Sequence, residues 1–175
     1  MRLALSGVLL PLVLLVACGG DSNEPEDPFP DAAGVYQVSG GFDDIPSNVG
    51  SFQGTLELTQ ASRSSGTLQG SAAILATLEG DVFNLSDPAL ANANVSPSGV
   101  LSFTMVGAGA TWTFSGALSG TTITTGRHTL SDGVQSFSGN WQGNRSSGSA
   151  IGAAPTVRRL PLVTLGQRLR AASAR

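Results

Sequence analysis

Apolar and polar residues alternate along most of this chain, and this two-residue period constrains the fold more than any other feature. Between residues 34 and 145 the alternation is broken by turn residues roughly every ten positions. Successive side chains of a strand point to opposite faces, so the pattern is typical of short antiparallel strands joined by turns. Charged residues make up only 12% of the 175 residues, and the abundant Gly, Ser and Thr are poor helix formers. The sequence therefore predicts an all-β domain.

Nine segments carry the alternating pattern. They are 34–40, 51–60, 66–77, 80–85, 89–95, 99–105, 110–118, 121–130 and 134–145. Several joins, such as Ser119-Gly120 and Asp132-Gly133, have the residues that tight hairpin turns favour. We predict an antiparallel meander that closes into a small soluble barrel of about eight strands. A strongly twisted β-sandwich is the alternative.

A short motif with a central glycine recurs within these segments. It occurs as Phe52-x-Gly54-x-Leu56, Leu68-x-Gly70-x-Ala72, Phe114-x-Gly116-x-Leu118 and Phe137-x-Gly139-x-Trp141. Its three named positions share one face of a strand. A glycine between two larger residues lets a strand bend sharply without a clash, as closed or strongly twisted sheets require. The motif indicates a curved sheet.

The alternation also assigns a face to each side chain. The residues predicted to face the interior are Tyr36, Val38, Phe52, Leu56, Leu58, Leu68, Ile74, Leu101, Phe103, Met105, Trp112, Phe114, Leu118, Phe137 and Trp141. The residues predicted to face water are Thr55, Glu57, Thr59, Thr111, Thr113, Ser115 and Asn140.

The N-terminal segment has the organisation of a signal peptide. Arg2 supplies a positive charge, and residues 3–16 form an apolar run too short for a comfortable membrane span. The run ends at Leu15-Val16-Ala17-Cys18, which resembles the lipobox of bacterial lipoproteins. The resemblance implies that residues 1–17 are removed and that Cys18, the only cysteine of the chain, is acylated. The membrane then becomes a partner through this anchor.

Residues 18–33 are predicted to form a tether between the acylated cysteine and the β domain. The segment carries five acidic residues and three prolines, so it repels itself and cannot form a core. The residue after Cys18 is Gly19, whereas an aspartate at this position is associated with inner-membrane retention in Gram-negative lipoproteins. The analogy favours an exported protein anchored in the cell envelope, at the outer membrane.

The body of the chain, predicted as a domain over residues 34–149, has a second resemblance. Gly34-Val35-Tyr36 is similar to the Gly-x-Trp motif of lipocalins, with Tyr in place of Trp, and the succession of hairpins is similar to their barrels. This resemblance implies that the barrel binds a small apolar ligand in a cavity lined by Tyr36, Phe103, Trp112 and Trp141. The alternative is a structural or interaction lipoprotein of the envelope whose barrel is filled by its own side chains.

Residues that could support catalysis or bind a metal are sparse. His128 is the only histidine and is expected to be a surface or rim residue, since no companion motif surrounds it. Four aspartates, Asp43, Asp44, Asp87 and Asp132, lack the spacing of an EF-hand. Nucleic acid is not expected as a partner, because no dense basic stripe with aromatic partners is present. We therefore predict a protein that is not an enzyme and uses no metal or cofactor.

The last segment, residues 150–175, contains five arginines and no acidic residue. It is predicted to be a frayed basic tail, dispensable for stability because it lacks the strand pattern. Two alternatives use Leu162, Leu165 and Leu169, which would share one face of a short helix beginning at Pro161. Such a helix would pack outside the barrel or touch anionic lipid.

Overall fold

The computed structural model describes residues 27–43, 45, 50–85, 89–146 and 157–175, which form ten strands and one helix. The strands are β1 (Gly34–Phe42), β2 (Gly50–Gln60), β3 (Leu68–Leu78), β4 (Asp81–Leu85), β5 (Ala89–Val95), β6 (Val100–Gly107), β7 (Ala110–Ser119), β8 (Thr122–Ser131), β9 (Ser136–Ser146) and β10 (Arg158–Leu160). The helix is α1 (Leu162–Ser173).

All ten strands belong to one sheet that curls into a half-barrel, so the all-β prediction is confirmed. The strand order is β10-β4-β3-β2-β1-β9-β8-β7-β6-β5. Within β1 to β4 and within β5 to β9, each strand pairs with the next one along the chain as an antiparallel hairpin, and β1 also pairs with β9.

The predicted eight-stranded closed barrel was wrong in strand count and in closure, and the sandwich alternative does not describe this single sheet. The sheet fails to close at β4. The five residues of β4 pair with β3 on one edge and with the parallel β10 on the other. In the described part of the chain, β5 therefore has no pairing with β4. At one end of the half-barrel, an isolated β-bridge between Thr67 and Asn94 connects the residue before β3 with β5. The Val95 N–H also donates to the Gly66 carbonyl there, at 2.8 Å.

The four motif glycines lie where no side chain would fit. A Cβ at Gly54 would stand 2.1 Å from the Ala73 carbonyl oxygen, and one at Gly139 would stand 1.8 Å from that of Gly41. Gly70 and Gly116 are similarly crowded. The strands therefore approach and bend too tightly for larger residues, which confirms the curvature that the motif indicates.

Fourteen of the fifteen residues predicted to face the interior are buried, and Leu118 is half-buried. Strand register explains this agreement, because one correct assignment fixes the face of every residue along the strand. Thr55 was predicted to face water and is instead buried, with 2% of its surface exposed. It lies between Gln37 and Ala73, which are its partners on the two flanking strands.

Helix α1 packs at one end of the half-barrel and contacts β3, β6, β7 and β9. Its buried face consists of Leu162, Leu165, Gly166 and Leu169. A Cβ at Gly166 would stand 2.6 Å from that of Asp132, so the glycine allows the helix to approach the β8–β9 turn closely. The Asp132 carboxylate, 1% exposed, pairs with the Arg170 guanidinium. The end of the chain is thus part of the core.

Residues 27–33, which belong to the predicted tether, pack on the β domain. Asp27 pairs with Arg63 at 3.3 Å, and Asp31 pairs with Arg145 at 3.0 Å. Ala32 is fully buried, and its N–H donates to the Gln60 side chain at 3.0 Å. The predicted signal peptide and the lipobox lie outside the described residues. No helix within the described part of the chain is long and apolar enough to span a membrane.

Candidate functional site

The interior of the half-barrel contains a cluster of aromatic rings. Its members are Phe42, Phe52, Phe103, Trp112, Phe114, His128 and Trp141. Phe103 and Phe114 are stacked with centroids 4.7 Å apart, and Phe52 meets the Trp112 ring edge-on at 4.8 Å. Contacts of this geometry are favourable beyond the area that they bury. The rings therefore pack against one another as a continuous core.

His128 is the one polar ring of this cluster. Trp112 Nε1 donates to His128 Nδ1 at 3.0 Å, and His128 Nε2 lies 2.9 Å from the Gly41 carbonyl oxygen. An indole N–H can only donate, so His128 Nδ1 accepts and the proton of the neutral ring is on Nε2, which donates to Gly41. The prediction of a surface or rim histidine was wrong, because the strand register turns His128 inward, where 2% of it is exposed.

Burial lowers the pKa of His128 from its ordinary value of 6.5 to about 4, although the hydrogen bond to Gly41 opposes this shift. A protonated ring would also carry an N–H at Nδ1, directed at the N–H of Trp112. The neutral form is therefore the one that fits the core. A histidine fully engaged in this way is not free to transfer protons with a substrate.

The Trp141 side chain hydrogen-bonds to the backbone where the β7–β8 and β8–β9 pairings shift register. Its Nε1 donates to the carbonyl oxygens of Ser115 at 2.8 Å and Arg127 at 3.1 Å. Both acceptors lie beside shifts in strand register, where a bulge frees backbone groups from the regular ladder. Gly126 is essential to this contact, because a Cβ there would stand 2.6 Å from the indole ring.

Tyr36 lies apart from the aromatic cluster, near residues 27–33. Its hydroxyl donates to the Ala32 carbonyl at 3.1 Å and accepts from Arg145 at 2.9 Å. Burial raises the pKa of the Tyr36 hydroxyl, although the hydrogen bond from Arg145 opposes this shift. The tyrosine thus joins the start of the β domain to the end of β9.

The structure places the four residues predicted to bind an apolar ligand in two separate groups. Phe103, Trp112 and Trp141 belong to the aromatic cluster, and Tyr36 does not. All four are buried and contact other side chains or the backbone. Cys18, the predicted lipidation site, lies outside the described residues.

Phe42 and His128 were missing from the predicted interior. Phe42 falls beyond the predicted end of the first strand, which continues two residues further than the alternation indicated. For His128 the signal was present, since Arg127 and Thr129 occupy the opposite face of the same strand.

The two described aspartates of the four considered as metal ligands have other partners. Asp43 pairs with Arg127 at 2.7 Å on the outer face of the sheet. The backbone N–H of Gln135 lowers the pKa of Asp132 to about 2, and Arg170 adds to this effect although burial opposes it. Asp44 and Asp87 lie outside the described residues. Among the described residues, no three His, Cys, Asp or Glu side chains gather in a way that could hold a metal ion.

A depression with a volume of about 500 Å³ lies on the outer face of the sheet. It is lined by Ser39, Gly40, Gly41, Ser51, Phe52, Gln53, Thr77, Asn140, Trp141 and Gln142. Its volume is within the range of about 300–1,000 Å³ that is usual for small-molecule sites.

Comparison of the chain with known protein families, curated proteins and solved structures finds no match.

Proposed function

We propose that this protein is an exported lipoprotein, anchored to the cell envelope through an acylated Cys18, whose β domain is a rigid and non-catalytic interaction module. The outer membrane is the proposed site of the anchor. In this account the domain contacts other envelope components through its outer surface. Its interior serves stability rather than transport of a ligand.

The filled interior is the observation that carries this proposal. A carrier of apolar molecules needs an internal cavity, usually of at least about 300 Å³. Here the positions that would line it hold aromatic rings in stacked and edge-on contact, with centroids 4.7–6.3 Å apart, and α1 buries three leucines against the same core. Small barrels are commonly filled in this way. The geometry thus favours the interaction module over a lipocalin-like carrier.

The attachment of residues 27–33 supports a defined orientation on the membrane. They pack at what we call the tether end, which comprises these residues and the turns at 61–67, 96–99 and 120–121. The opposite helix end comprises α1 and the turns at 79–80, 108–109 and 132–135. Residues 18–26 can span at most about 30 Å, at ~3.3–3.6 Å per residue. The tether end would therefore face the membrane, and the helix end would face away from it.

Substitution of Cys18 tests the anchor. Cys18→Ser is expected to abolish acylation, because a hydroxyl cannot replace the thiol to which the lipid is attached. The measurement is incorporation of a clickable fatty-acid analogue in cells, followed by fractionation. The variant should lose the label and either leave the membrane fraction or remain as an uncleaved precursor.

Ser22→Ala is a matched control, since it alters a small polar residue nearby and leaves the lipobox intact. It should be labelled and fractionate like the unmodified protein. Equal labelling of the Cys18→Ser variant, or a mature N-terminus other than Cys18, would show that the anchor is misassigned.

A further inference from the structure

The 500 Å³ depression on the outer face lies where four strands, β3, β2, β1 and β9, run side by side. Gly41 of β1 lies between Ser51 of β2 and Asn140 of β9. In the next outward-facing row, Ser39 lies between Gln53 and Gln142. The short residues form the trough, and longer amide side chains flank it.

Gly41 is a glycine for which the fold gives no steric reason. Its φ is not in the left-handed region, and among the described residues a Cβ there would have only one neighbour within 4 Å, the Gly50 carbonyl oxygen at 3.7 Å. The adjacent Gly40 is different, because a Cβ at that position would stand 2.4 Å from the Phe52 ring. An unforced glycine in a strand weakens the strand and often marks a place where a ligand approaches the backbone. At Gly41 a side chain would occupy the depression itself.

The described side chains that line the depression are uncharged. Ser39, Ser51 and Thr77 offer hydroxyl groups, and Gln53, Asn140 and Gln142 offer amides. The nearest ion pair described at its border joins Asp43 to Arg127, so the two charges compensate each other. Asn140 is held by this pair, since Arg127 donates to its side-chain oxygen at 2.8 Å. Within the described residues, Gln53 and Gln142 have no side-chain partner, so both amides remain available.

We propose that this depression binds a neutral, hydroxyl-rich ligand, namely the ring of an uncharged sugar. Amides and hydroxyls both donate and accept hydrogen bonds, and so do the hydroxyls of a sugar. The backbone of β1 at Gly40 and Gly41 would form the floor of the site, against which one face of the sugar ring would lie. This inference goes beyond the proposed function, because it concerns the outer face and does not depend on the anchor.

The test is a titration of the ¹⁵N-labelled mature chain, held in a detergent without a sugar headgroup, followed by NMR. The probes are glucose, galactose, N-acetylglucosamine and a short neutral oligosaccharide, with glucuronate as the charged comparison. Saturable shifts are expected at the Gly41 backbone and at the Gln53 and Gln142 side-chain amides. A stronger response to the oligosaccharide than to single sugars would identify a glycan chain as the source of the ring.

Gly41→Leu fills the depression and is expected to weaken binding about tenfold or more. The substitution should not lower stability, because leucine is less costly than glycine in a strand and the Cβ would make an ordinary contact, at 3.7 Å, with the Gly50 carbonyl oxygen. Thr111→Leu is the matched control, since Thr111 is exposed on the outer face of β7 away from the depression. Gln142→Ala removes one amide without touching the core and should also weaken binding.

Saturable binding that is lost in Gly41→Leu and Gln142→Ala but kept in Thr111→Leu supports the proposal. The proposal is overturned if none of the neutral sugars binds, if only glucuronate binds, or if Gly41→Leu binds as well as the unmodified chain. None of these outcomes affects the acylation test, so the two proposals fail separately.

Discussion

At the scale of single residues, the imidazole of His128 joins strands that are far apart in the sequence. It lies on β8, accepts a hydrogen bond from Trp112 of β7 and donates one to Gly41 of β1. Each hydrogen bond satisfies a polar group that would otherwise be buried without a partner, which typically costs about 1–3 kcal/mol. The histidine therefore stabilises the aromatic core as a neutral residue.

The low pKa of His128 predicts an acid-sensitive fold. The folded protein resists protonation of His128 down to about pH 4, whereas the unfolded chain takes up the proton near pH 6.5. The contribution of the neutral His128 to the free energy of unfolding is therefore fully present above pH 6.5 and is lost as the pH falls from 6.5 towards 4. Below pH 4 this contribution no longer changes with pH. The free energy lost over the interval is about 3 kcal/mol. Chemical denaturation at a series of pH values measures it.

His128→Gln is the control, because glutamine keeps a donor and an acceptor but does not titrate in this range. The difference in unfolding free energy between the two proteins should change between pH 6.5 and 4. A constant difference across that interval would show that His128 has the same pKa in the folded and the unfolded protein, which would contradict the neutral buried ring.

The register of β8 could be predicted from the alternation of its residues, and with it the inward position of His128. The partners of the histidine could not. Gly41 lies 87 residues away, and its carbonyl is reached only because Gly139 allows β1 and β9 to approach closely. The same applies to Trp141, whose acceptors are exposed by bulges that no local pattern indicates.

At the scale of elements, the strands followed from period-two patterning and turn residues, whereas β10 and α1 depend on tertiary contacts. The three residues of β10 are too few to show a pattern, and their parallel pairing with β4 needs a neighbour supplied by the fold. Gly166 weakens α1 as an isolated helix but permits its contact with Asp132. The low helix propensity of this segment therefore led to the prediction of a frayed tail, whereas tertiary contacts stabilise the helix.

Leu165 tests the role of α1. Leu165→Ala is expected to lower the free energy of unfolding by about 2–5 kcal/mol, because the side chain is fully buried and its loss leaves a cavity. Gln167→Ala, on the exposed side of the same helix, should change it by less than about 0.5 kcal/mol. Thermal and denaturant unfolding of both variants measures the difference.

Removal of the whole segment after residue 149 should also destabilise the domain by several kcal/mol, contrary to the dispensable tail expected from the sequence. The segment contributes Leu162, Leu165 and Leu169 to the core. Burial of each leucine is worth about 1.5–3 kcal/mol. An unchanged unfolding midpoint after this truncation would mean that α1 does not pack as described.

At the scale of the whole molecule, the alternation and the glycine motif predicted a curved antiparallel sheet but not its closure. Closure depends on whether β4 and β5 meet, and β4 is instead paired with β10. Whether the interior is hollow depends on how the rings pack across the sheet, which the face of each residue does not reveal. The four residues predicted to line a ligand site were therefore assigned to the correct, inward face of the sheet. Their contacts with one another could not be predicted from the sequence.

The filled interior is the central claim, and the fluorescence of Trp112 and Trp141 tests it most directly. Both indoles are buried, with 0% and 3% of their surfaces exposed, so a molecule that entered the core would change their emission. The measurement is a titration of residues 27–175, without the predicted anchor, with a fatty-acid-like probe. If the interior is filled, the emission shows no saturable change; a saturable change at about one probe per chain, lost in Phe103→Trp, would show that the core admits a ligand.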